Sequence, residues 1–195
     1  MKILKRIIYS LKMGYLHRDA LAQLYLRTPS QQNTLDIVPQ DLIKQGVKVL
    51  VLDFDGVLAA HGELLPAPEI AHWLQSCLQI FPATQIFLLS NKPLPARVVY
   101  FERYGIRCIA GVQKKPYPEG LLKIQQLTQC QASEILLVDD RLLTGGLAAC
   151  IAQTQIYYVT RPLIAWGKRP FAESFFMLMR WAERRIIARY SVTAL

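Results

Sequence analysis

Two carboxylates one residue apart, Asp53 and Asp55, follow the run Val47-Lys48-Val49-Leu50-Val51-Leu52 and precede Gly56. An apolar, largely β-branched run that ends at a turn residue predicts a strand buried on both faces. Side chains alternate along a strand, so the two acids are expected to project from the same side at its exit. Anions held that close repel unless a cation sits between them or one carries a proton. A single aspartate there would serve as a cap for the next helix. Two in register are costly to hold without a chemical use.

Three later groups have residue types that would complement those acids. Ser90-Asn91-Lys92 follows the apolar stretch 85–89, and a hydroxyl ahead of turn amides makes a small anion cradle. Lys114-Lys115-Pro116 lies in a loop, where a lysine is ordinarily solvated. Asp139-Asp140 follows the apolar stretch 134–138. Acids at the C-terminal edge of a parallel strand converge on the crevice shared by its neighbours, so these are the natural metal ligands. His61, alone in the loop after Gly56, is expected to face solvent or brace that loop.

The elements that must position these groups alternate along the chain. Strands are predicted over 47–52, 85–89, 106–109, 134–138 and 153–159, with helices over 68–81, 95–104 and 117–129 between them. Trp73, Leu74 and Leu78 mark the inner face of the first of those helices. The fold class is therefore α/β, a Rossmann-like doubly wound parallel sheet with its motifs beyond the C-terminal edge.

Asp53-Phe54-Asp55-Gly56-Val57 resembles the first motif of the haloacid dehalogenase (HAD) superfamily of phosphoryl-transfer enzymes, and the other groups follow in that superfamily's order. Around Asp139-Asp140-Arg141-Leu142-Leu143-Thr144-Gly145 the chain is similar to the Gly-Asp-Arg-(two apolar)-Thr-Asp pattern of the YqeG-type proteins and mitochondrial phosphatidylglycerophosphate phosphatases. Asp139 replaces that pattern's glycine and Gly145 replaces its second acid. The lead-in from Asp36 to Lys48 and the exit Tyr158-Val159-Thr160-Arg161-Pro162 resemble the same family.

The resemblance implies a phosphatase in which Asp53 is the nucleophile and Asp55 the general acid and base. Ser90, Asn91 and Lys115 would bind the phosphoryl oxygens. Mg²⁺ would be held by Asp53, Asp55 through its backbone carbonyl, and Asp140. Gly145 would leave that metal site short of one carboxylate, so Gly145→Asp is expected to tighten it. Neither gap between the first three motifs has room for a cap domain, which predicts an open site suited to a phosphate carried on something large.

The net charge of +9 is unevenly spread, with +5 in residues 1–27, +5 in 161–195 and −1 between them. A near-neutral centre argues against nucleic acid as a partner. Residues 2–12 place Ile3, Leu4, Ile7, Ile8 and Leu11 on one face among basic residues, the pattern of a helix that lies in a membrane interface or docks on the protein's own core. Residues 171–190 mix aromatics with arginines, which suits a lipid–water boundary or a helix packed on the sheet. The organisation expected is a basic amphipathic arm over 1–30, a phosphatase core over 31–165 and a basic aromatic helix over 166–195.

Hydrophobic residues make up 52% of the chain, yet no apolar run is long enough to span a bilayer. Lys5, Arg6 and Lys12 interrupt the first apolar stretch, so it does not read as a signal peptide. Four scattered cysteines without a CxxC pair read as core residues of a reducing compartment. The function expected is dephosphorylation of phosphatidylglycerophosphate at an anionic membrane, on the inner face of the cytoplasmic membrane. The alternatives are a soluble phosphatase for nucleotide or sugar phosphates and a non-catalytic scaffold.

Overall fold

The structure, a computed structural model, describes residues 2–192. Its centre is a five-stranded parallel sheet in the order β3-β2-β1-β4-β5. The strands are β1 (Val49–Leu52), β2 (Ile86–Leu88), β3 (Arg107–Cys108), β4 (Ile135–Asp139) and β5 (Gln155–Tyr158). β1 pairs with β4 over four residues, as β4 does with β5, and Val49 stands opposite Ile135 and Leu52 opposite Val138. Every side chain of β1 is buried, as a strand covered on both faces requires.

Alternation along β1 divides the core in two. Leu50 and Leu52 face α3 (Pro39–Lys44), α4 (Pro68–Ile80) and α5 (Pro95–Glu102), packing with Leu42, Ile70, Trp73, Leu74 and Phe101. Leu78 packs at the edge of this cluster. Val49 and Val51 face α6 (Glu119–Thr128) and α7 (Leu147–Ala152), packing with Leu121, Ile124, Ala148 and Ala149. The doubly wound α/β arrangement expected from the sequence is thus present.

Only α4 and its loops separate β1 from β2, and only α5 separates β2 from β3. No cap domain occupies either gap. Trp73 Nε1 donates to the Ile37 carbonyl at 2.9 Å, which ties the lead-in segment to α4.

The two ends of the chain form the remaining helices, α1 (Lys2–Leu16), α2 (Arg18–Arg27) and α8 (Pro170–Val192). They join the sheet through a third cluster of Leu21 and Ala22 from α2, Leu142 and Leu143, Leu147, Tyr158 and Ile187. The faces they present reverse the ordinary pattern. α8 turns Glu173, Arg180, Glu183 and Ile187 inward and leaves Phe171, Phe175, Leu178 and Trp181 exposed. α1 leaves Ile3, Leu4, Ile7, Ile8 and Leu11 exposed and packs by Ser10 and Gly14, so its apolar face is not docked on the core.

Leu21 is fully buried where α2, α8 and the sheet meet. Leu21→Ala should lower stability by about 2–5 kcal/mol, the usual cost of truncating a buried leucine. Urea denaturation of the two proteins measures it, and a loss below about 1 kcal/mol would mean that this cluster does little to hold the terminal helices.

Candidate active site

The crevice lies beyond the C-terminal edges of β1, β2 and β4, the sheet edge where parallel α/β proteins hold ligands. At its floor Lys115 Nζ stands 3.0 Å from Asp53 Oδ1 and 2.5 Å from Asp139 Oδ2. Lys115 is buried, so the loop lysine of the sequence is no solvated residue. The side chain of Asp53 is 13% exposed, open enough to meet a ligand from the cavity above.

Asp53, Asp139 and Asp140 each offer an oxygen within 4.8 Å of the other two. Burial pushes the Asp53 carboxyl up to about 7, and Asp139 and Asp140 add to the rise while Lys115 opposes it. Burial raises Asp139 as well, again against Lys115. Burial alone would depress Lys115, but its two carboxylate partners hold its proton more tightly than usual. Three crowded carboxylates are short of positive charge, and an all-oxygen set of this kind fits a hard divalent cation such as Mg²⁺.

Asp55 lines the same cavity as Asp53 but has a partner of its own. β1 ends at Leu52, so strand alternation no longer applies at the two acids. The chain turns at Gly56 (φ +85°), and Asp55 swings to Arg97, whose Nη1 and Nη2 donate to its two oxygens at 3.0 and 2.7 Å. Arg97 is fully buried, also donates to the Glu63 carbonyl and lies 3.8 Å over the Phe54 ring. Burial would raise the Asp55 carboxyl, but the Arg97 hydrogen bonds and the Gly62 amide hold it below the usual range. The Asp55 carboxylate thus lies outside the cluster of Asp53, Asp139 and Asp140, and the metal role expected of Asp55 concerns its backbone carbonyl.

Asp140 is paired with Arg180 of α8, whose Nε donates to Asp140 Oδ2 at 2.6 Å. Gly56 is needed beside this pair, because a Cβ there would lie 2.4 Å from Asp140 Oδ2 and 2.8 Å from Arg180 Nη2. Arg141 pairs with Glu183, also of α8. His61 is buried, contrary to a solvent-facing role. It stacks on Phe176 at 3.7 Å, and its Nδ1 lies 3.5 Å from Glu173 Oε2. Burial first, and then the charge of Arg180, lower the His61 pKa to about 4, so it is a neutral brace near pH 7.

Ser90 and Asn91 both line the cavity. Ser90 Oγ accepts from the Lys92 amide at 3.1 Å, and Asn91 Nδ2 donates to the Lys115 carbonyl at 3.1 Å. The second bond ties the two phosphate-binding candidates together. The structure therefore gathers Asp53, Ser90, Asn91, Lys115 and Asp140 around one space, with Asp55 at its side. Arg97, Arg180, Glu173 and Glu183 were missed by the sequence analysis. Their only signal was charge at helix positions that an amphipathic reading assigns to solvent.

The Gly145 vacancy is a further correction. A Cβ at Gly145 would lie 2.0 Å from Asp139 Cγ, so the Asp139 carboxylate fills the space that a side chain at 145 would need. Gly145 lies in the π-helical turn Leu142–Gly146, packed against the carboxylate that pairs with Lys115. The acid has moved along the chain while its charge has stayed in the site.

A parallel α/β sheet with an acid–lysine crevice at its C-terminal edge defines a phosphoryl-transfer class of site. The family model described as mitochondrial PGP phosphatase matches residues 27–163, and the chain belongs to that family. It is therefore a phosphatase, as the resemblance of its motifs implied. No significant match is found among curated proteins.

Solved structures with a similar fold include an uncharacterized protein from Corynebacterium glutamicum, 18% identical over 70% of this chain and 96% of that one, at a TM-score of 0.47. CbbY from Rhodobacter sphaeroides is 14% identical over 56% of this chain and 84% of its own, at 0.39. NagD from E. coli is 12% identical over 64% and 92%, at 0.40. Likenesses this distant say nothing of substrate. No described helix is long and apolar enough to cross a membrane. The matched family has a mitochondrial description, so the match lends no support to the cytoplasmic membrane in particular.

Gly145→Asp should damage the enzyme rather than improve it. Forcing a side chain against Asp139 costs about 1–3 kcal/mol from overpacking, with charge repulsion besides. The paired exchange Asp139→Gly with Gly145→Asp should recover most of the lost melting temperature and phosphatase rate. A single Gly145→Asp protein as stable and active as the parent would refute this account.

Proposed function

We propose that this phosphatase is a magnesium-dependent phosphomonoesterase that forms an aspartyl-phosphate on Asp53. Its substrate is a phospholipid phosphomonoester, phosphatidylglycerophosphate above others, taken from an anionic membrane surface. The observation that carries this reading is the cavity of about 550 Å³ above Asp53. Its floor is Asp53, Ser90, Asn91, Lys115 and Asp140, and its upper walls include Ile3, Ile7 and Leu11 of α1 and Phe176, Met179 and Ile186 of α8. A charged floor under apolar walls matches a phosphorylated headgroup with hydrocarbon above it. A sugar phosphate, polar on all sides, would leave those walls uncovered.

In the first step Asp53 bonds to phosphorus as the bond to the lipid oxygen breaks, and Asp55 gives that oxygen its proton. Water then attacks phosphorus, Asp55 takes the water's proton, and the Asp53–phosphorus bond breaks to release inorganic phosphate. Lys115 neutralises the phosphoryl oxygens, Ser90 and Asn91 orient them, and catalysis consists largely of positioning and charge neutralisation. Asp53, Asp140 and the Asp55 carbonyl would hold Mg²⁺, with Asp139 adding charge beside them, and the ion would supply further neutralisation at the phosphate. Arg97 has a defined part here. Its grip keeps Asp55 ionised, which suits proton removal from water, whereas the first step needs Asp55 to take up a proton before it leaves that grip.

The exposed apolar face of α1 borders the cavity at Ile3, Ile7 and Leu11, α8 borders it at Met179, and basic residues flank both helices. Both features fit an interfacial enzyme that draws its substrate sideways out of the lipid layer.

Asp53→Asn should leave the melting transition in place and abolish phosphate release, because an amide does not attack phosphorus. Steady-state hydrolysis by a clean Asp53→Asn preparation would remove Asp53 from the nucleophile's role. The substrate is tested by phosphate release with Mg²⁺ from a panel of lipid, nucleotide and sugar phosphomonoesters, where lipid should lead.

Flotation with anionic vesicles should weaken as salt rises, at about 1 kcal/mol per surface-apposed Lys or Arg, and removal of residues 1–12 should reduce it. Absence of flotation at low salt would count against the membrane part of the reading.

A further inference from the structure

We propose that Arg6 of α1 reads a second negatively charged group on the substrate. The site would then select phosphomonoesters that also carry a phosphodiester, such as the one joining a phosphorylated headgroup to its diacylglycerol. This rests on the lipid-phosphatase reading above and adds a specificity residue to it.

The first observation is where α1 sits. Ser10 Oγ donates to the Leu143 carbonyl at 2.8 Å, and a Cβ on Gly14 would lie 2.9 Å from Leu143 Cδ2. α1 therefore packs closely on the turn that follows Asp139 and Asp140. Tyr9 stacks on Tyr117 at 4.1 Å, two residues beyond Lys115. The helix is thus anchored to two of the loops that build the site. Residues four apart share a helix face, so Arg6, Ser10 and Gly14 form one stripe, and Arg6 stands one turn outward of the Ser10 anchor.

The second observation is the charge pattern. The inner cations all have acids: Lys115 has Asp53 and Asp139, Arg97 has Asp55, Arg141 has Glu183 and Arg180 has Asp140. Arg6, Lys92 and Lys114 line the same cavity, and among the described residues none of the three has an acidic partner. The cavity's surplus positive charge thus lies on these three residues, outside the acid–base pairs around Asp53.

Of these three cations, Lys92 and Lys114 are exposed on loops, while Arg6 is half-buried on an anchored helix. A guanidinium is also the better fit to a phosphodiester, because it binds two oxygens at once in a fixed plane. Ile3, Ile7 and Leu11 border the cavity on the same helix, so hydrocarbon beyond the diester would meet apolar surface.

The test compares the parent, Arg6→Gln and Arg6→Lys on three substrates with Mg²⁺. The first is phosphatidylglycerophosphate, which carries both a phosphodiester and a terminal phosphomonoester. The second is phosphatidic acid, which has the phosphomonoester alone, and both are presented in the same detergent mixed micelles. The third is a soluble aryl phosphate. The parent should favour the first lipid over the second by about tenfold or more in kcat/KM. Arg6→Gln should collapse that preference by about 10–100-fold, the scale of a lost charged hydrogen bond, with most of the change in KM. Arg6→Lys should recover part of it.

A preference between the two lipids that survives Arg6→Gln overturns the proposal. An equal fall on both lipids also overturns it, because Arg6 would then serve only the micelle surface. So does an equal fall on all three substrates. A parent protein that hydrolyses aryl phosphate and neither lipid overturns the lipid reading itself, and this proposal with it.

Discussion

One buried charge problem governs this protein. β1 and β4 deliver Asp53, Asp139 and Asp140 to the same point, and Lys115 enters from a loop to meet two of them. Carboxylates taken out of water are stable only when paired and hydrogen-bonded, so each must find a cation or take a proton. Asp140 finds Arg180, which obliges α8 to lie across the crevice. Glu183 of the same helix pairs with Arg141, and Glu173 accepts from the His61 and Ala165 amides. The placement of the last helix follows from the electrostatics of the site as much as from its apolar contacts.

That constraint also explains the reversed amphipathicity. A soluble helix ordinarily buries its apolar stripe and shows its charges to water. α8 spends its inward face on Glu173, Arg180 and Glu183, so its aromatics are left outside. α1 does likewise, using Ser10 and Gly14 to approach the turn at Leu143. The two helices wall a site that has no inserted cap. They take over the work of excluding solvent and shaping the entrance, and they expose apolar surface in the course of doing so.

Much of the fold could be read directly. β1 announces itself by its continuous apolar run, and the alternating strands and helices fix a parallel sheet with its chemistry at one edge. Asp53, Ser90 and Asp140 could be placed because each follows the end of a strand, and Lys115 because of its place in the order of the family's motifs. Arg97 and Arg180 could not, since each meets its acid across about 40 residues of chain and looks locally like a solvated helix charge. The same reason hid the direction of α8: periodicity reveals that a helix has two faces and leaves open which one turns inward. Asp55 lines the same cavity as Asp53, but its pairing with Arg97 was beyond the reach of strand alternation, since β1 ends at Leu52. Gly145 looked like a gap because sequence order gives no hint that Asp139 already fills its space.

The closeness of Gly145 to Asp139 bears on how such a sequence can drift. Asp139 is the acid that serves Lys115, and the volume between positions 139 and 145 admits only one such side chain. A lineage that moves the acid from one position to the other by single substitutions passes through a protein with two acids in that volume or with none. The first is overpacked and over-charged, and the second leaves a buried lysine with half its partners. Positions 139 and 145 are therefore bound in reciprocal epistasis: each residue is neutral or harmful according to what stands at the other. The two arrangements form separate peaks, and the substitution tolerated at one site depends on which peak the chain occupies.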